Sequence, residues 1–147
     1  TTVALCPRSN RVIGLAAPPV AAYLAEGNQI AVGTDSLSSS PSLDVLGELP
    51  ELYDLAREQG YAHTDLGRRL LHAATLGGAT ALGLGTGRNR VGQLQAGAIA
   101  DMVILDVPVS DVIGTIDDVV RLGAGRQVAT LIEGQLRWRD DRFPGMT

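Results

Sequence analysis

A chain of 147 residues, 45% of them hydrophobic, is long enough for one ordinary domain or two small ones and too apolar to stay disordered. A net charge of −4 and 3% aromatic content argue against a nucleic-acid surface, which needs clustered cations and rings for stacking bases. The longest apolar runs, such as Met102 to Leu105, are strand-length and span no membrane, and Thr1 to Pro7 does not read as a signal peptide. All 12 basic residues are arginines, which with the abundant Gly and Ala reflects a GC-rich coding bias more than a function. The single cysteine, Cys6, allows no internal disulfide and fits a reducing cytoplasm. It reads as a buried strand residue, because no histidine that would activate a thiol lies near it in sequence.

In chain order, Val3-Ala4-Leu5-Cys6 predicts a buried strand ended by Pro7, with Arg8-Ser9-Asn10 in the loop that leaves it. Pro18-Pro19 opens a helix with Val20, Tyr23 and Leu24 on its apolar stripe, and Gly27-Asn28 closes it. Ile30 to Asp35 is a second apolar run of strand length ending in a carboxylate. Strand, helix, strand makes one βαβ unit with a parallel pair. Ligands of such units sit at the carboxyl ends of the strands, here Arg8-Ser9-Asn10 and Thr34-Asp35-Ser36.

Ser40 and Pro41 predict a helix start as N-cap and first residue. Leu43, Leu46 and Leu49 continue the pattern to a break at Pro50, and Leu52 and Leu55 carry it on to a stop at Gly60. Thr64 caps a further helix bearing Leu66, Leu70, Leu71 and Ala74, and a short turn, Ala79 to Leu82, follows Gly77-Gly78. Beyond Gly83 the character changes from α/β to mainly β. Ala100 to Asp106, Val128 to Ile132 and Gln135 to Arg139 read as strands, the last two joined by a Glu133-Gly134 hairpin turn. Val109 to Leu122 stays open between helix and loop.

Asp35 is the leading candidate for chemistry. A carboxylate closing a buried strand faces the mouth of a parallel sheet, and holding it there takes a partner such as a metal, a proton or an arginine. A helix-capping or turn aspartate is the plain alternative, and spacing alone leaves the two open. Arg8, Ser9, Asn10 and Ser36 share that rim and are candidate substrate-binding residues, although a polar surface loop would look the same. His72 reads as a packed or half-exposed helix residue and His63 as solvated, and neither has a second ligand at metal spacing. The glycine-rich Gly83-Leu84-Gly85-Thr86-Gly87-Arg88 fails the dinucleotide fingerprint, since Arg88 replaces its third glycine and a helical stretch precedes it; it reads as a turn-rich linker.

Cys6-Pro7-Arg8-Ser9-Asn10, Gly33-Thr34-Asp35-Ser36, Ala74-Thr75 with Gly78-Ala79 and Ala81-Leu82-Gly83, then Gly92-x-Leu94-x-x-Gly97-x-x-Ala100-Asp101, resemble in order and spacing the end of a deaminase-type amidohydrolase. The resemblance covers nearly the whole chain. It implies an α/β fold in which residues 1–82 supply strands seven and eight of a (β/α)8 metal-dependent hydrolase barrel. Residues 83–147 would then be the C-terminal part of the flanking β-sandwich. It gives Asp35 the role of strand-eight aspartate, a ligand to a divalent metal, expected to be zinc, and the acceptor of a proton from the metal's water. Such a metal brings the pKa of its water to about 7. The hydroxide formed would attack a ring carbon bearing an amino group, and ammonia would leave.

The resemblance also marks departures. The family's His-x-His, its single histidines on strands five and six and its proton-donating glutamate have no counterpart in this sequence. One carboxylate does not make a zinc site. The expectation is therefore a fragment that alone binds no metal tightly and is inactive, whose parent deaminates a purine nucleoside or related heterocycle in the cytoplasm. Open barrel strands further imply as partners the missing N-terminal part of the barrel, and homo-oligomers, with neither nucleic acid nor membrane involved. The motifs look most like aminofutalosine or methylthioadenosine/adenosylhomocysteine deaminases. A guanine-deaminase-like enzyme or a triazine chlorohydrolase is a related reading. The rival from another class is a non-catalytic scaffold or assembly module derived from the fold.

Overall fold

Two short strands, β1 (Val3–Leu5) and β2 (Ile30–Val32), pair in parallel with Leu5 opposite Val32. The computed structural model describes residues 1–142, so the last part of the 83–147 segment lies outside the described residues. Between the strands run α1 (Pro7–Val12) and α2 (Val20–Ala25), the latter burying Val20 and Leu24. Gly27, at φ +72°, turns the chain out of α2 as its sequence position predicts. All of β2 is buried, whereas Ala4 in β1 is exposed.

Two expectations change here. Arg8-Ser9-Asn10 is not a loop but lies within the six-residue α1, directly after Pro7 at its first position. Nor does Ser40 start a helix: Ser36 to Ser40 form turns, and the helix begins at a single 3₁₀ turn, Val45–Glu48, capped by Asp44, whose side chain accepts from the Leu46 amide at 3.0 Å. The chain then continues into α3 (Leu49–Glu58), where Pro50 lies in the first turn instead of breaking the helix. A proline there forgoes only an amide that has no intrahelical partner.

Gly60, at φ +91°, ends α3, and α4 (Leu66–His72) follows with Asp65, not Thr64, at its N-cap. The helix does not stop at Gly77-Gly78. It widens into a π turn (Ala73–Gly77) and runs on as α5 (Gly78–Ala81). Gly77 sits against β2 so closely that a Cβ there would lie 2.5 Å from the Ile30 carbonyl oxygen. Gly77 thus permits close helix–strand approach.

Leu5, Val20, Leu24, Ile30, Val32, Leu49, Leu52, Leu66 and Leu70 form one core. Val109 to Leu122, ambiguous in sequence, contains helix α6 (Val112–Leu122), which returns to pack across α3 and α4 and adds Val120 to that core. The guanidiniums of Arg57 and Arg121 both lie over the Tyr53 ring, 5.1 and 5.5 Å from its centroid, and its hydroxyl donates to Asp117 on α6. The remaining strands, β3 (Met102–Leu105), β4 (Gln127–Ile132) and β5 (Gln135–Arg139), make an antiparallel sheet in the order β3-β4-β5. Its β4–β5 turn is the expected Glu133-Gly134, with φ of +54° and +75°, the pair of positive angles a two-residue hairpin requires. Val103, Leu136 and Trp138 on this sheet are about half exposed.

Gly67 on α4 faces α6: a Cβ there would meet the Asp117 side chain and come within 3.3 Å of its Cα. Replacing a helical glycine by alanine normally gains up to about 1 kcal/mol. Overpacking here costs about 1–3 kcal/mol. Gly67→Ala is therefore expected to lower the denaturant midpoint, and a raised midpoint would show that α6 is not docked tightly on α4.

Candidate functional site

The parallel pair sends both chains out at the same end, and there Asp35 meets Ser9. The Ser9 hydroxyl, on a residue only 1% exposed, lies 2.9 Å from Asp35 Oδ2, and the Ser39 hydroxyl lies 3.1 Å from the same oxygen. The two hydroxyls are also 2.8 Å from each other. Each carries one proton and an ionised carboxylate can only accept, so both protons are best spent on Asp35. The Ser36 amide donates to Oδ1 at 2.8 Å. These donors, Ser9 first, hold the Asp35 carboxyl below its ordinary range. Asp35 itself is exposed and takes φ +60°, a left-handed conformation that aspartate tolerates better than most residues.

Asp35 thus has partners other than those the sequence suggested. They are neutral hydroxyls and an amide. Of the rim candidates, Ser9 meets Asp35 by its side chain and Ser36 by its amide, while the Ser36 hydroxyl pairs with that of Ser38. Asn10 is half-buried on α1, and its carboxamide makes no hydrogen bond among the described residues. Arg8 turns elsewhere. Its Nε lies 3.3 Å from Glu48 Oε1, its backbone amide donates to Glu48 Oε2 at 3.1 Å, and its guanidinium donates to Ser42 Oγ at 2.7 Å.

Ser39 and Glu48 were not legible as site residues. Ser39 belongs to a serine run that reads locally as a helix start. Glu48 is an acid inside an apolar helical pattern and is fully buried, which is the one signal that an unusual partner must exist. Burial pushes its carboxyl up, opposed by the Arg8 amide and guanidinium. Cys6 is partly buried at the start of α1, and its thiol is raised by burial and then by the Asp35 and Glu48 carboxylates. That makes it a poor nucleophile.

His72 and His63 are both exposed and remote in role from this rim. His72 lines a cleft of about 470 Å³ with Thr2, Gln29 and Arg68 at the opposite, amino end of the strands, and His63 packs at a tilt against the Tyr61 ring. Among the described residues, no three of His, Cys, Asp and Glu converge to hold a metal ion. Asp35 suits one position in such a site, and zinc takes three or four protein ligands. No described helix is long and apolar enough to cross a membrane. The glycine-rich segment is a turn-rich linker folded around Arg90, whose guanidinium donates to the carbonyls of Ala96 and Gly97.

The amidohydrolase family profile matches residues 1–136, and the chain belongs to that family. More particularly, it is 33% identical over 144 residues to the 5-methylthioadenosine/S-adenosylhomocysteine deaminase of Halobacterium salinarum, covering 95% of this chain and 32% of that one. It is 38% identical over 106 residues to the enzyme of that name from Moorella thermoacetica, covering 71% of this chain and 24% of the relative. Among solved structures, the fold matches an adenosine deaminase from Xanthomonas campestris with bound zinc at TM-score 0.78 and 29% identity, covering 94% of this chain and 32% of that one. It also matches E. coli guanine deaminase at TM-score 0.79 and 24% identity, covering 96% and 35%. The chain therefore spans about a third of the length of its relatives.

Glu48 gives a pH test of the buried pair. Its folded value lies above the ordinary 4.5, so over that window the folded state holds the extra proton. Stability from this group therefore falls as pH rises through the folded value and is regained as pH falls toward 4.5. Urea unfolding of wild type and Glu48→Gln is expected to show wild type gaining relative stability on acidification from neutral. A gap that stays flat or moves the other way contradicts the buried charge.

Proposed function

We propose that these residues are the C-terminal part of a hydrolytic deaminase that removes an amino group from a purine nucleoside or related heterocycle. The observation that carries the reading is the Asp35 carboxylate at the carboxyl end of β2, held ionised by Ser9, Ser36 and Ser39 and open to solvent. In this reading residues 1–82 close a (β/α)8 barrel and 83–147 belong to its flanking β-domain, with α6 reaching back onto the barrel helices. The relatives' shared name and the zinc in the Xanthomonas deaminase support the reaction class and the metal.

Asp35 would be one protein ligand, the remainder coming from residues outside this sequence. The metal, when bound, supplies an activated water. Asp35 accepts a proton on a carboxylate oxygen and delivers it to the departing amine. Its two hydroxyl donors keep that carboxylate in one orientation and leave it negatively charged. Asn10 and Ser36 would serve for substrate contact. Arg8 is committed to Glu48 and acts through α1. Exposed Leu136, Trp138 and Val12 support covering of these faces by the rest of the protein and by homo-oligomer contacts. The unpaired Cys6 supports a cytoplasmic setting.

Ammonia release by the whole protein from 5′-methylthioadenosine, adenosine and guanine tests this directly. Asp35→Asn is expected to lower kcat by about 10²–10⁴-fold and to reduce bound zinc per chain. A chelator should abolish activity and added zinc restore it. A well-folded whole protein that releases no ammonia from any aminoheterocycle would leave the scaffold reading standing instead.

A further inference from the structure

We propose that Glu48 is a positioning residue for the strand-end carboxylate: it grips the first turn of α1 and thereby holds the Ser9 hydroxyl against Asp35. The inference rests on the deaminase reading for its effect on rate, and on geometry alone for its effect on α1.

The first amides of a helix have no partner within the helix. Cys6, at the N-cap of α1, offers no side-chain bond to them. The Arg8 amide is satisfied from 40 residues away, by Glu48 Oε2 at 3.1 Å. The same carboxylate faces the Arg8 Nε at 3.3 Å through Oε1, which has no hydrogen bond of its own among the described residues. The guanidinium is held on two further sides. Ser42 Oγ accepts from it at 2.7 Å, and it lies over Gly47, where any Cβ would collide with its terminal nitrogen. Main chain and side chain of Arg8 are thus fixed together by the segment from Ser42 to Glu48.

Ser9 is the next residue of the same helical turn, and its hydroxyl reaches Asp35 at 2.9 Å. A rotation or slide of α1 that loosened Arg8 would carry Ser9 away with it. Stability alone does not account for the arrangement. A buried ion pair costs desolvation that a well-packed apolar pair avoids. What an apolar pair cannot do is accept the Arg8 amide and set its direction. Glu48 touches neither Asp35 nor the open rim, so its action runs through Arg8 and Ser9.

The test uses the whole protein with Glu48→Gln, Ser9→Ala, the double variant, and Val120→Ala as a core destabilisation away from the site. Ammonia release and amide hydrogen exchange of the peptide spanning 7–12 are measured for each. Glu48→Gln is expected to lower kcat about 10- to 100-fold, with a smaller change in KM, and to speed exchange in α1. The double variant should be no slower than Ser9→Ala alone, since both remove one linkage. Val120→Ala should leave exchange in α1 at the wild-type level. Losses that multiply in the double variant, or a Glu48→Gln protein with wild-type kcat and α1 protection, overturn the proposal. If Glu48→Gln does not fold, Glu48→Asp takes its place, with the same direction expected in both readouts. If wild type releases no ammonia, the deaminase reading fails, and hydrogen exchange still decides whether Glu48 holds α1.

Discussion

The parallel register of β1 and β2 is the constraint on which the site depends. With Leu5 opposite Val32, both strands end at one level and their chains leave on the same side. Gly33 then passes the start of α1 so closely that an added Cβ would lie 3.3 Å from the Cys6 sulfur. That proximity lets a six-residue helix, α1, bring Ser9 within hydrogen-bond reach of Asp35. A slip of one residue would turn β2 over and send Asp35 to the other face. Because every residue of β2 is buried, such a slip would also have to repack the core on both sides.

The electrostatics of the rim follow from where the arginine goes. Arg8 is one residue from Ser9, yet its guanidinium is held by Glu48 and Ser42. Among the described residues, the donors left to Asp35 are all uncharged. Neutral donors favour the ionised form by hydrogen bonding without cancelling its charge. An arginine at that distance would also keep it ionised, but would neutralise it toward a cation or a proton. Glu48 therefore does two things at once: it anchors α1 and keeps the nearest positive charge off the rim. The price is a buried carboxylate whose own protonation is made easier by burial.

What the sequence made legible was local. Apolar runs bounded by Pro, Gly and Asp located β1 and β2, and Gly134, which takes a positive φ without cost, located the β4–β5 hairpin. The misread elements depended on distant partners. Arg8-Ser9-Asn10 looked like a loop because the acid that satisfies the α1 amide lies 40 residues further on. Ser38-Ser39-Ser40 looked like a helix start because the Ser39 hydroxyl packs against that of Ser9, 30 residues earlier, a contact that only tertiary folding makes. Pro50 looked like a break because periodicity does not show which turn of a helix a proline occupies. In α6 a readable signal was present: Asp111 accepts from the Gly114 amide at 2.7 Å, an N-cap spacing.

The site divides into a part this sequence determines and a part it does not. Among the described residues, every group that orients Asp35 lies between Ser9 and Ser39, and the clamp behind Ser9 lies between Arg8 and Glu48. The carboxylate is accordingly oriented by the βαβ unit and the segment that follows it. Preorganisation matters because a proton acceptor that must first find its orientation forfeits part of its rate advantage. A metal site is different: one fixed carboxylate contributes direction but not affinity, which comes from several ligands meeting at one point. On the proposed deaminase reading, Asp35 would enter such a site already oriented, and further ligands would supply the affinity.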